Sequence, residues 1–161
     1  MLAPPQETFT ALVNDGTLNI DFTGVLNEAT IAALEIVPTP ASVIVQESDG
    51  NSSVNEQGPT SDDYTVVLGT APTSNVTVNL SFNSAQLSPN QASLTFTPSN
   101  WDTPQTVLVS AVDDSEVEGI HVSSVSHTAT SSDPSYKNIE IPEDSFTIQD
   151  NDNGASTVKF A

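Results

Sequence analysis

Val76, Val78, Leu80 and Phe82 alternate with Thr77, Asn79 and Ser81, so that apolar and polar side chains follow one another at every step. An extended chain sends successive side chains to opposite faces; this run therefore fits a strand with one face in a core and one in water. The same period of two returns in segments bounded by Gly, Pro, Asn and Ser, with expected strands at 42–46, 63–68, 75–82, 93–97, 105–112, 121–130 and 144–149. Helix formers are sparse, and Thr, Ser and Val dominate. Together these features predict an all-β fold, a seven-stranded antiparallel β-sandwich. In the sixth segment Val122 and Val125 differ in parity, which predicts a β-bulge or an imperfect face.

A chain of 161 residues holds one sandwich of about 100–150 residues and a smaller piece. In the first 37 residues, Phe9, Ala11 and Val13 alternate with Thr8, Thr10 and Leu12. Asn14-Asp15-Gly16 then supplies a hairpin turn, and Leu18, Ile20 and Phe22 share the face of the returning strand. The run 31–37 suits a strand or a short helix. Pro38-Thr39-Pro40 interrupts both and places the expected boundary. The expected organisation is a hairpin segment at 1–37, a Pro-rich linker at 38–41, the sandwich at 42–153, and a tail or link to a following unit at 154–161.

Charge removes several classes of function. Against 21 Asp and Glu stand only Lys137 and Lys159, for a formal net charge of -19. Nucleic acid needs a basic face, and anionic membranes repel such a chain. Disorder is also disfavoured, because 36% of residues are hydrophobic and they alternate as strands require. With no cysteine there is no disulfide, thiolate metal site or cysteine nucleophile. No apolar stretch reaches the roughly 18–20 residues of a membrane span. Met1-Leu2-Ala3-Pro4-Pro5 lacks the regions of a signal peptide, so the start is expected to be a cut within a longer protein or a processed terminus.

The acidic residues are not evenly spread. Asp113-Asp114-Ser115-Glu116-Val117-Glu118 and Asp150-Asn151-Asp152 each follow an expected strand, and Glu56 precedes another. Were these three places to meet at one end of a domain, their carboxylates would converge without Lys or Arg to neutralise them. Two carboxylates about 4 Å apart repel by roughly 4 kcal/mol at an effective dielectric of about 20. Such a cluster calls for a cation. Either acidic run taken alone reads as a solvated surface.

Val45-Gln46-Glu47-Ser48-Asp49-Gly50 through Val54-Asn55-Glu56-Gln57-Gly58, then Asp63-Tyr64-Thr65-Val66-Val67-Leu68, resembles the opening of a Calx-beta domain. The likeness continues through Leu94 to Val107 and Val112 to Gly119, and closes with Phe146-Thr147-Ile148-Gln149-Asp150-Asn151-Asp152. It is to the variant repeated in tandem in large bacterial surface proteins and adhesins. The resemblance implies a Greek-key sandwich whose loops at one end bind calcium. Carried over by position, the implied ligands are Glu56, Asp113, Asp114, Glu118, Asp150 and Asp152, with Glu116 where the family offers a backbone carbonyl. Residues 83–90 contain no carboxylate where some relatives supply one. More weakly, residues 15–22 and 32–37 resemble the last strands of a malectin-like carbohydrate-binding domain, and no sugar-contacting residue carries over.

Calcium takes six to eight oxygen ligands in irregular geometry, which loop carboxylates supply, whereas magnesium insists on an octahedron and keeps its waters. Zinc prefers His or Cys, and His121 and His127, on one face of a regular strand, are too far apart to share an ion. Trp101 is expected to cover one end of the core, with a sugar platform as the alternative. His and Ser are present, but without a nucleophile elbow or oxyanion-hole signature no enzyme is expected. The sequons at Asn51, Asn75 and Asn79 are chance matches in a chain this rich in Ser and Thr. The expectation is a non-catalytic calcium-binding module of an extracellular or cell-surface adhesin, matrix or fibre protein, with neighbouring modules or protomers as partners. The alternatives are a glycan-binding fragment and a filament subunit in which residues 6–37 complete a neighbour's sheet.

Overall fold

The alternation at Val76–Ser81 buries Val76, Val78 and Leu80 and leaves Thr77 and Asn79 half-buried on the other face. The structure is a computed structural model and describes residues 39–58 and 60–152. The chain divides after Val37 into two units, and every described residue belongs to the second. Expectations for the hairpin, the malectin-like segment and the tail lie outside the described residues.

Nine strands follow in order: β1 Val43–Glu47, β2 Ser53–Asn55, β3 Ser61–Leu68, β4 Val76–Ser81, β5 Leu87–Pro89, β6 Ser93–Phe96, β7 Gln105–Ala111, β8 His121–Ser131 and β9 Asp144–Gln149. They form two sheets, ordered β1-β3-β7-β5 and β2-β9-β8-β4-β6. The chain passes between sheets at nearly every connection, so strands adjacent in sequence lie in different layers. All seven expected strands are present. The two additional ones are three residues long, too short for a period of two to stand out.

The inner faces meet in one core. Tyr64, Val66 and Leu68 of β3 and Val107, Val109 and Ala111 of β7 come from one sheet. Val78, Leu94, Phe96, Val125, Phe146 and Ile148 come from the other. Each fully buried Val, Leu, Ile or Phe contributes about 1.5–3 kcal/mol relative to exposure, which is what commits the polar alternates to the outside. Trp101 is half-buried and packs on this core, as expected from sequence.

The bulge expected in β8 does not appear. Its register runs without a break along β9 from His121 to Val125 and along β4 from Ser126 to Ser131. Val125 points inward with His121 and His127, while Val122 faces out at 64% exposure. The parity conflict is thus an apolar residue on the outer face.

One pairing sets up everything at the acidic end. β2 runs parallel to β9, with Ser53 opposite Thr147 and Asn55 opposite Gln149, while the other pairings among the described strands are antiparallel. Parallel alignment brings the residues that follow both strands to the same edge.

Candidate metal centre

Glu56 leaves β2 beside the end of β9, held there by its backbone N–H donating to Gln149 O at 3.1 Å. A turn at 56–58 follows, and Gly58 adopts φ 64°, a left-handed conformation that side chains disfavour. The Glu56 side chain is driven inward and is only 1% exposed. Neither of its carboxylate oxygens has a donor at hydrogen-bonding geometry.

The loop between β7 and β8 approaches the same edge. Asp150, immediately after β9, accepts the backbone N–H groups of Glu118 at 2.7 Å and Gly119 at 2.6 Å through Oδ2. Gly119 has φ 69°, which lets two successive amides point at one oxygen. The other oxygen of Asp150 accepts the Asp152 N–H at 2.6 Å. Asp113 accepts from the Asn151 side chain at 2.9 Å, and Asp114 accepts the Glu116 N–H at 2.8 Å. The acidic loop is thereby tied to the end of β9 by hydrogen bonds between neighbouring segments.

Two groups of ligand atoms form around the buried carboxylate. Oxygens of Glu56, Asp150 and Asp152 lie within 4.8 Å of one another, and so do atoms of Glu56, Glu118 and His121. Glu56 belongs to both. Asp114 stands close enough for its charge to act on Glu56 and Asp152, and Asp113 acts on Asp152. Glu116 is exposed, and its side chain is in neither group. Of the seven residues expected from sequence, Glu56, Glu118, Asp150 and Asp152 converge, Asp113 and Asp114 flank them, and Glu116 contributes its backbone to the loop.

The electrostatics follow from burial and like charge. Burial raises the pKa of Glu56 first, and Asp150, Asp114 and Glu118 add to it; the nearby Asn151 backbone amide offsets this in part. Asp152 is raised by burial of its carboxyl, then by Asp150, Asp113 and Asp114. Asp150 moves the other way, lowered first by the Asp152 amide and then by those of Gly119 and Glu118. An ionised Asp150 therefore faces two carboxyls that its own charge discourages from ionising.

Two residues of this end carried no sequence signal for it. Gln86 is buried at 9% exposure, and its side-chain N–H groups donate to both Glu118 oxygens at 3.0 and 3.1 Å. His121 has both ring nitrogens engaged: Nδ1 with Gly119 O at 2.9 Å, and Nε2 with the side-chain oxygen of Gln86. His121 Nε2 is also 3.6 Å from Glu118 Oε2. His121 braces Gln86 and Glu118, with both ring nitrogens directed at oxygens of the protein. Gln86 comes from the 83–90 loop, which lacks a carboxylate; the loop acts through an amide instead.

The donor set that remains is carboxylate oxygen, with three orphaned buried oxygens at its centre, two on Glu56 and Oδ2 of Asp152. Buried polar atoms are nearly always satisfied, and three carboxylate oxygens in one place make a donor set that a cation would complete. A hard divalent cation fits that set, and zinc, which seeks nitrogen or sulfur, does not.

No family model matches the chain, and no curated protein matches it. Solved structures do. The apo-form Calx CBD1 domain is 14% identical over 68% of this chain and 98% of its own, with a TM-score of 0.47. CBD12 from CALX1.2 is 14% identical over 67% of this chain, with a TM-score of 0.46, and the chain covers 44% of it. A PapD-like domain of human CEP192 is 7% identical over 81% of this chain and 98% of its own, with a TM-score of 0.48. Among the described residues, no helix is long and apolar enough to cross a membrane.

Proposed function

We propose that the sandwich is a non-catalytic, calcium-binding module of a secreted or cell-surface protein of the adhesin, matrix or fibre kind. The observation that carries this reading is Glu56, 1% exposed, with both oxygens unpartnered and facing further carboxylates. A buried carboxylate without a counter-ion is costly, and a divalent ion offsets both its desolvation and the repulsion around it. Glu56, Asp150, Asp152 and Glu118 hold the ion, and Asp113 and Asp114 add negative potential beside it.

The ion's chemistry is mechanical. Calcium joins the turn after β2, the loop before β8 and the end of β9, three segments that otherwise repel. The end of β9 leads to whatever follows in the chain, so the ion stiffens that exit toward a neighbouring module or protomer. Extracellular calcium modules bind at about 10⁻⁴ to 10⁻³ M, and saturation at ten to a hundred times the dissociation constant adds about 1.4–2.7 kcal/mol per ion.

Scanning calorimetry tests this. Transfer from millimolar calcium to EDTA lowers the melting temperature by several degrees, and coincident melts would overturn the reading.

A further inference from the structure

Large apolar side chains left in water are unevenly spread over the sandwich. Val117, Ile120 and Val122 are 58%, 78% and 64% exposed, more than Ile44 or Leu108 on the other sheet. Val117 and Ile120 belong to the loop between β7 and β8, and Val122 is the second residue of β8. Ile120 and Val122 flank His121, whose ring turns to Gln86 and Glu118. Both are thereby left on the solvent side. The outer face behind Val122 is uncharged, since Val122 lies opposite Thr147 of β9 and Ser124 opposite Ser145. Single exposed apolar residues need no explanation, but a group of them beside polar residues marks an interaction surface.

The charges around the group say what kind of partner fits it. Asp113, Asp114, Glu116 and Glu118 share the loop with Val117 and Ile120, and all four are exposed. Asp150 is fastened to the end of that loop through the amides of Glu118 and Gly119. Among the described residues no Lys or Arg forms an ion pair. Their only Lys, Lys137, lies beyond the far end of β8. A second copy of the chain would bring its own negative charge to this surface, and like charges face to face oppose contact. A segment in which Lys or Arg alternates with apolar side chains meets both features at once, cations against the loop carboxylates and apolar groups against Ile120 and Val122.

We infer that Val117, Ile120 and Val122, with the carboxylates of the β7 to β8 loop beside them, form a docking surface for a basic, amphipathic segment of another protein. The carboxylates steer the segment in, and the apolar side chains hold it. The inference does not rest on the calcium reading, because it uses the loop's charge and its apolar residues without an ion.

Isothermal titration of the 161-residue chain in EDTA tests this. The probes are two synthetic peptides of equal length and charge, one alternating Lys with Leu and the other Lys with Ser. Wild type binds the Lys-Leu peptide at least about tenfold more tightly, because apolar burial adds to the charge attraction. Ile120→Ser with Val122→Ser removes that preference and leaves the weaker, salt-sensitive binding of both peptides. Equal affinity of wild type for the two peptides overturns the inference, as does a preference that survives the double variant. Ile120→Ser alone, in the loop, guards against misfolding of the double variant; it reduces the preference, and an unchanged preference again refutes the surface. Sedimentation equilibrium of wild type alone gives a further check. Self-association that the double variant loses would make the occupant a second copy and overturn the basic partner, and binding to phosphatidylcholine vesicles lost in the same variant would do so in favour of a lipid surface.

Discussion

Tyr64 Oη and His127 Nε2 lie 2.8 Å apart inside the sandwich, joining β3 of one sheet to β8 of the other. His127 Nδ1 is 2.8 Å from Pro142 O, which can only accept. Nδ1 therefore carries the proton and Nε2 accepts from the Tyr64 hydroxyl. This is a fully satisfied polar pair between two hydrophobic faces, with the rings edge-on at 5.4 Å between centroids.

Tyr64→Phe leaves His127 Nε2 buried without a donor. The expected cost is about 1–3 kcal/mol of unfolding free energy, the penalty of an orphaned buried acceptor. Urea unfolding at pH 7.5 reads it, and a midpoint equal to wild type would mean the pair contributes nothing.

Burial lowers the pKa of His127 below its usual 6.5, against smaller upward pulls from Pro142 O and Asp144. The folded state then binds fewer protons than the unfolded one. The stabilisation is complete above pH 6.5 and is lost as pH falls below it toward the depressed folded value. Asp144 acts in the opposite sense, since burial and Glu47 raise its pKa, and its contribution grows as pH falls. In EDTA, the melting temperature of wild type relative to His127→Asn should decline between pH 7 and 5. A constant difference would refute the assignment.

Calcium and protons compete for Glu56 and Asp152, whose pKa values are both raised. The ion requires both ionised, so affinity falls from pH 7 toward pH 5, further than for open carboxylates. The same sign governs the metal-free protein: the protonated form of Glu56 contributes stability that is complete below pH 4.5 and lost as pH rises through its elevated pKa. Isothermal titration at the two pH values checks this, and a pH-independent dissociation constant would count against Glu56 as a ligand.

Gln86→Ala removes the two donors that hold Glu118. Calcium affinity should drop about tenfold, as for other groups that position a ligand without touching the ion. Far-ultraviolet circular dichroism should stay the same, because the backbone bonds of Gln86 with Asn83 and Val112 remain. Unaltered affinity would reduce Gln86 to a packing role.

Sequence periodicity exposes the long strands because burial acts on every second residue, as at Val76, Val78 and Leu80. β2 escapes it, since Val54 is its only buried residue and a parallel partner leaves no local mark. Charge reveals Glu56, Glu118, Asp150 and Asp152, but a neutral amide such as Gln86 has no signature until the loop is folded over Glu118.

The parallel ladder between β2 and β9 has a consequence for load. Tension pulling the start of β2 and the far end of β9 in opposite directions acts along the strands, so its hydrogen bonds are sheared together rather than peeled one by one. A divalent clamp at the Glu56 end of so short a ladder would make it the seam that resists stretching.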